Sequence, residues 1–225
     1  MLLNKHLIYD EWNAEYLSNC SDEEFNLFLQ LILKDKDNLN KRKDQAFEKV
    51  WTMLNKLKSP VFVTGGTLLG IIRDENLIDW DDDIDFDMLS EDYLIWESKL
   101  RKEFIDNDCV VRIKRHKQFP KLRIYTHGLK VSIDSLPLKG KNRIRPAYTY
   151  PNKFFTHVFY KDYKGMVINC PNPPDLFLEH VYGSKWVEPI RGDSDTDYMS
   201  WKVLNMSPFR YIAKKLIKSL KSFFR

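Results

Sequence analysis

Apolar residues recur along this chain with two different periods, and each change of period marks an element. Between residues 41 and 58, Ala46, Phe47, Val50, Trp51, Leu54 and Leu57 return every three or four positions, the spacing of one helix face, and that face is read as core packing. Ahead of it, Ser21-Asp22-Glu23-Glu24 has the form of a capping box opening a helix that runs to about Leu33. Residues 61–64 are a short apolar run after the breaker Ser59-Pro60, which predicts a buried strand; Gly65-Gly66 ends it, and Thr67 is placed to cap a helix through Arg73. The period then falls to two, as Ile84, Phe86 and Met88 alternate with Asp83, Asp85 and Asp87. Residues 90–106 return to a helical pattern opened by Ser90, and strands are predicted over 109–115, 119–126 and 129–133. Beyond these lie an aromatic-rich stretch at 154–160, a strand-like run at 166–169 and a helix at 174–182. Strands and helices mix in an order too irregular for a doubly wound parallel fold, so the pattern predicts an α/β (α+β) chain with a mixed sheet flanked by helices.

Composition narrows the class without naming a chemistry. The 225 residues, 43% of them hydrophobic, suffice for a real core. Cys20, Cys109 and Cys170 are odd in number and far apart, which suggests reduced thiols and neither a disulfide framework nor a CxxC metal site. The opening Met1-Leu2-Leu3 runs into Asn4-Lys5-His6, so no secretory signal is expected, and no apolar run approaches the length of a membrane span. A cytoplasmic enzyme is the expectation. His6, His116, His127, His157 and His180 show no ligand spacing.

The charge pattern changes the picture at one place. Asp79, Asp81, Asp82, Asp83, Asp85 and Asp87 put six acids into nine residues. A strand over 83–88 would project Asp81, Asp83, Asp85 and Asp87 from one face, with neighbours roughly 6 to 7 Å apart. Each such pair repels by about 0.6 to 2.5 kcal/mol, depending on screening. Several pairs together call for a compensating cation, and hard oxygen ligands without a Cys or His cluster favour Mg²⁺ or Mn²⁺ over Zn²⁺. A calcium-binding loop is excluded because Asp87 is followed by Met88, Leu89 and Ser90 where that loop needs glycine. A solvated acidic loop is the alternative, but such a loop has no need of the interleaved Ile84, Phe86 and Met88. Just upstream, Gly65-Gly66 would let backbone N–H groups approach a phosphate at a helix N-terminus.

These residues resemble a known family. The strand, Gly65-Gly66-Thr67-Leu68-Leu69-Gly70, Arg73 and Ile78-Asp79-Trp80-Asp81-Asp82-Asp83-Ile84-Asp85 are similar to the signature of the LicD family, which includes bacterial phosphorylcholine transferases and the fukutin-related proteins. Asp79 stands where that pattern commonly has proline, a departure that leaves the acids intact. Leu178-Glu179 through Tyr182-Gly183 to Trp186 is similar to the family's later Leu-Glu-x-x-Tyr-Gly-x-x-Trp element. The resemblance implies a nucleotidyltransferase-like fold, in which residues 46–190 form the catalytic domain, 1–45 an accessory helical segment and 191–225 a tail. It implies metal ligands at Asp81, Asp83 and Asp85, and a further carboxylate on a neighbouring strand, for which Asp134 in Leu129-Lys130-Val131-Ser132-Ile133-Asp134 is the candidate, as ligand or base. Gly65, Gly66, Thr67 and Arg73 are then the substrate-binding candidates. The implied reaction is transfer of a phosphorylated alcohol, such as phosphocholine, from a CDP-activated donor to a hydroxyl of a cell-surface or lipid-linked glycan, as in lipopolysaccharide biosynthesis. Nucleotidyl transfer to a sugar or sugar phosphate is the rival enzyme, and a non-catalytic metal-binding partner of a glycan enzyme the rival from another class.

Basic residues gather away from the acids. Arg112, Lys114, Arg115, Lys117, Lys121 and Arg123, and then Lys139, Lys141, Arg143 and Arg145, suit the diphosphate of an activated donor. Nucleic acid is not expected as a partner, since the aspartates would repel its backbone. Residues 208–225 carry six Lys and Arg and no acid, while Phe209, Ile212, Leu216, Leu220 and Phe223 recur at helical spacing. That is the pattern of a basic amphipathic helix, expected to lie on an anionic membrane surface at the inner face of the cytoplasmic membrane or else to pack on a protein.

Overall fold

In the computed structural model, residues 14–32, 38–114, 118–191 and 195–223 are described. The chain divides into two compact units, one ending at Ser135 and the other starting at Leu136.

The first unit opens with helices α1 (Ala14–Asn19), α2 (Asp22–Ile32) and α3 (Leu39–Lys56). The capping box forms as its residue types require: Ser21 Oγ accepts from the Glu24 N–H at 3.2 Å, and the Ser21 N–H donates to the Glu24 carboxylate at 3.0 Å. Leu33, the expected end of that helix, lies outside the described residues. Then follow β1 (Val61–Val63), α4 (Gly65–Asp74), β2 (Asp83–Leu89), α5 (Ser90–Asp106), β3 (Val110–Lys114), β4 (Lys121–Thr126) and β5 (Leu129–Leu136). The strands form one sheet in the order β1-β2-β5-β4-β3. Two helix starts differ from expectation. The N-cap of α4 is Thr64, with Thr67 inside the helix, and the N-cap of α5 is Leu89, one residue before Ser90. In the first case the Thr67 hydroxyl is engaged elsewhere, accepting the Asp85 N–H at 2.9 Å.

The period-two stretch behaves as its alternation demands. Ile84, Phe86 and Met88 are fully buried on one face of β2, where Phe86 meets Phe47 and Trp51 of α3 at ring distances of 5.9 and 6.1 Å. Each such buried side chain contributes about 1.5–3 kcal/mol, which holds β2 in one register. The other face therefore has to present the acids. The β4–β5 hairpin closes through His127-Gly128, both with positive φ as a two-residue turn of this kind requires, and this sets Lys121 directly opposite Asp134.

The second unit contains the short strands β6 (Leu138–Lys139), β7 (Asn142–Ile144) and β8 (Thr149–Pro151), which form one sheet, then a 3₁₀ turn at Asn152–Phe155. The hairpin β9 (Val158–Tyr163) and β10 (Met166–Pro171) follows, with α6 (Pro174–Tyr182), α7 (Asp195–Tyr198) and α8 (Pro208–Phe223). The aromatic-rich stretch is core: Phe177 of α6 packs against Tyr150, Phe154 and Phe155 at 5.5 to 5.8 Å. Among the described residues, no helix is long and apolar enough to cross a membrane.

Candidate functional site

Asp83, Asp85 and Asp87 occupy alternate positions of β2, while Asp81 lies in the turn before it. The similar residue types meet different environments. Asp87, paired in register with Phe62 of β1, is fully buried, whereas Asp83 and Asp85 are partly open. Asp79 is exposed and accepts a hydrogen bond from Asn40 at 2.8 Å, apart from the others.

Asp81, Asp83 and Asp85 form the cluster. The Asp81 carboxyl is pushed up to about 7, first by burial and then by the charges of Asp83 and Asp85, with a hydrogen bond to Asp83 adding to the effect. Lys130 of β5 reaches Asp83 at 2.6 Å. Burial opposes the charge on Lys130, yet Asp83 and Asp85 outweigh it and hold its pKa above the ordinary value. Beneath the cluster, Lys43 of α3 is buried and donates to the Ile78 carbonyl; burial lowers its pKa, against the raising influence of Asp81 and Asp79.

The glycine pair stands against these carboxylates. Gly65 has φ +60, and a Cβ there would fall 2.5 Å from Asp85 Oδ2 and 2.9 Å from Asp85 Cβ. A Cβ on Gly66 would overlap the Asp81 carboxylate. Only glycine lets the first turn of α4 lie this close to the acids, so helix N-terminus and carboxylates share one small volume.

Asp134 is placed differently. It is 1% exposed, and Lys121 and Arg123 of β4 donate to its two oxygens at 2.7 and 2.6 Å. The remaining expected residues are also engaged: Arg73 pairs in bidentate fashion with Asp74, at 2.8 and 2.6 Å, and the buried Thr67 hydroxyl serves β2. The structure thus brings together Asp81, Asp83, Asp85, Gly65 and Gly66, puts Asp134 in its own ion pairs on the strand next to β2, and turns Arg73 to a neighbour. Of the expected basic cluster, Arg112 stacks on Phe25 and pairs with Asp22, while Arg115 and Lys117 lie outside the described residues.

Two functional candidates were missed in the sequence. Lys130 shares a strand face with Ser132 and Asp134, and the alternation of residues 129–134 already carried that signal. Lys43 sits three and four positions before Ala46 and Phe47 on the apolar face of α3, where a lysine signals a buried partner.

The donor set consists of hard carboxylate oxygens of the kind Mg²⁺ and Mn²⁺ take, packed directly against the backbone of Gly65 and Gly66. Among the described residues, no group of three or more His, Cys, Asp or Glu is already arranged as a metal-binding set. The residues fit a divalent cation in chemistry, and closing around one would require side-chain rotation within the cluster.

A family model described as LicD/FKTN/FKRP, nucleotidyltransferase domain, matches residues 58–172. No curated protein matches the chain. Among solved structures, the crystal structure of ANT(2")-Ia in complex with adenylyl-2"-tobramycin is 11% identical with a TM-score of 0.40, over 57% of this chain and 68% of that one. The solution structure of the antibiotic-resistance factor ANT(2'')-Ia is 12% identical with a TM-score of 0.46, over 83% and 92%. A cytoplasmic RNA terminal U-transferase is 17% identical with a TM-score of 0.32, over 50% and 36%. Similarity at this level says nothing about substrate.

Proposed function

This chain belongs to the LicD family, and from that premise we propose that it is a divalent-metal-dependent phosphotransferase. It moves a phosphorylated alcohol, such as phosphocholine, from a CDP-activated donor to a sugar hydroxyl of a cell-surface or lipid-linked glycan. The observation that carries this reading is the gathering of Asp81, Asp83 and Asp85 against Gly65-Gly66 at the start of α4, with Lys130 beside them.

The chemistry follows from those charges. Mg²⁺ or Mn²⁺ held by Asp81, Asp83 and Asp85 would supply positive charge against the donor diphosphate. The N–H groups of the first turn of α4 favour the same negative charge, and the glycines let the carboxylates that would hold the metal lie against that turn. Lys130 on β5, the strand next to β2, and Arg123 on β4 beyond it serve the departing phosphate, as charge-assisted donors do. The acceptor hydroxyl oxygen bonds to the phosphorus of the alcohol phosphate while the bond from that phosphorus to CMP breaks, so CMP leaves. The hydroxyl proton needs a base. Asp134 can take it only if its pair with Lys121 or Arg123 opens; closed, Asp134 positions those two cations. Arg73 would reach a substrate only by releasing Asp74.

Incubation with Mg²⁺ and a panel of CDP-alcohols tests the proposal. CMP release with the alcohol phosphate transferred is the expected product pattern. The family model's own description favours one rival, nucleotidyl transfer, which would release pyrophosphate from a nucleoside triphosphate instead. No turnover across the panel would support a non-catalytic metal-binding role.

A further inference from the structure

Helix α8 leaves its apolar face open instead of burying it against its own unit. On a helical wheel, Phe209, Ile212, Ala213, Leu216 and Ile217 share one face, and Arg210, Tyr211, Lys214 and Lys215 occupy the rest. In a helix stabilised by the core the apolar face would turn inward. Here it does not: the Tyr211 hydroxyl ties the helix down by donating to the Met199 carbonyl at 2.6 Å, Lys214 borders a cleft of about 410 Å³ with Arg145, Tyr148 and Asn205, and Arg210, Lys214 and Lys215 are exposed as well. Phe209 is 83% exposed, Ile212 56%, Leu216 60% and Ile217 55%. Four large apolar side chains on one face of one helix are a patch, and they differ in kind from scattered surface leucines. Trp201, in the turn preceding the helix, is exposed as well.

From this orientation and the charge around it we infer that the apolar face of α8 docks on an anionic lipid surface. Charge selects this occupant. Residues 208–225 hold six Lys and Arg and no acid, so the tail carries +6 in a chain of net +4. A second copy seated on the same face would bring a second strip of the same sign alongside, which costs free energy. An anionic bilayer instead offers an apolar layer under a negative one, matching apolar side chains flanked by Arg210 and Lys215. With no helix among the described residues able to span a bilayer, α8 lies in the interface plane. Its tether through Tyr211 keeps the apolar face presented, so little ordering is lost on docking.

Flotation of the full chain with lipid vesicles tests this without reference to the reaction proposed above, because it reads lipid binding whether or not any donor is turned over. Vesicles containing phosphatidylglycerol should carry at least about tenfold more protein than pure phosphatidylcholine at low salt, and the excess should shrink as salt shortens the Debye length from roughly 10 Å at 0.1 M to 3 Å at 1 M. Phe209→Ser with Leu216→Ser should reduce flotation about tenfold or more at every salt concentration, since it removes apolar contact and leaves each charge in place. Arg210→Gln with Lys215→Gln should reduce only the salt-sensitive part. These four positions are exposed, so an unchanged thermal transition is expected in both variants. Equal flotation of the wild type and the serine variant overturns the inference. So does absence of flotation, whether the wild type is monomeric or forms a dimer that the serine variant abolishes; the dimer would make the occupant a second copy.

Discussion

Two acidic sites on neighbouring strands solve the same electrostatic problem in opposite ways. On β5, Asp134 is buried with Lys121 and Arg123 each donating to one of its oxygens, so its charge is balanced by side chains of the fold. Beside β2, Asp81, Asp83 and Asp85 crowd together with Lys130 on Asp83, and repulsion persists, as the Asp81 carboxyl at about 7 records. A balanced carboxylate stabilises the protein that holds it. A cluster left in mutual repulsion is one that a ligand of opposite charge would relieve. The difference is one of charge balance: Asp134 is neutralised within the fold and the cluster beside β2 is not.

The largest expected effect comes from the crowded site. Asp83→Asn or Asp85→Asn should lower CMP release by about 10²- to 10³-fold, the scale of losing one electrostatic group aimed at a transition state. Neutralising one member of a repelling set should leave the thermal transition where it is or raise it. Retained turnover by the double Asn variant in the presence of EDTA would remove the metal from the proposal.

The balanced site should respond in the other way. Asp134→Asn leaves Lys121 and Arg123 facing a neutral amide, and both are about one-fifth exposed, so the cost should lie below the 3–5 kcal/mol of a fully buried pair, at about 1–3 kcal/mol. Denaturant unfolding measures it. An Asp134→Asn protein as stable as the wild type would mean that the two ion pairs contribute nothing to the fold.

A pH series sharpens the contrast. A carboxyl raised in the folded state binds its proton more tightly there than in the unfolded chain. The metal-free protein should therefore lose stability as pH rises from about 4 through about 7, with Asp81 as the group responsible. Asp81→Asn should flatten that slope and raise Tm at pH 8 by a few degrees. Mg²⁺ competes with the proton for the same oxygens, so its stabilising effect should be larger at pH 8 than at pH 6. Identical slopes in the wild type and Asp81→Asn would place the titration elsewhere.

The smallest effect belongs to Lys130→Met. Its side chain and that of Asp83 are 35% and 25% exposed, which limits the pair to about 0.5–1 kcal/mol. Loss of this cation should move the pH-dependent fall in stability to higher pH, because Asp81 then faces a more negative neighbourhood. A midpoint that stays in place would show that Lys130 does not screen the cluster.

Much of this was legible in local pattern. The alternation of residues 83–88 gave both the strand and its two faces, because a period of two leaves no other way to bury Ile84, Phe86 and Met88 together. Helices at 90–106 and 174–182 have the bounds the sequence pattern predicts, although the N-cap of the first is Leu89 and not Ser90. The start of α4 was misplaced by its hydroxyls: a threonine three residues into a helix looks like a cap until β2 arrives to occupy it. Lys130 was overlooked because the partner that gives it meaning, Asp83, is distant in sequence.

By itself, then, the order of residues determined most strands and helices between residues 39 and 136, which faces are acidic and apolar, and which family the signature resembles, because each of these depends on neighbours within a few positions; the short strands at 138–151 were not predicted. Tertiary structure decided what each charge does. Asp87 is buried, Asp134 balanced and Asp81 left in repulsion only because strand order and the β4–β5 turn determine which side chains stand opposite. Equally, the amphipathic pattern of α8 was plain in sequence, yet nothing local said that its apolar face would stay exposed while Tyr211 ties the helix to the Met199 carbonyl. Electrostatic and docking energies depend on distances through space, and those exist only once the chain has folded.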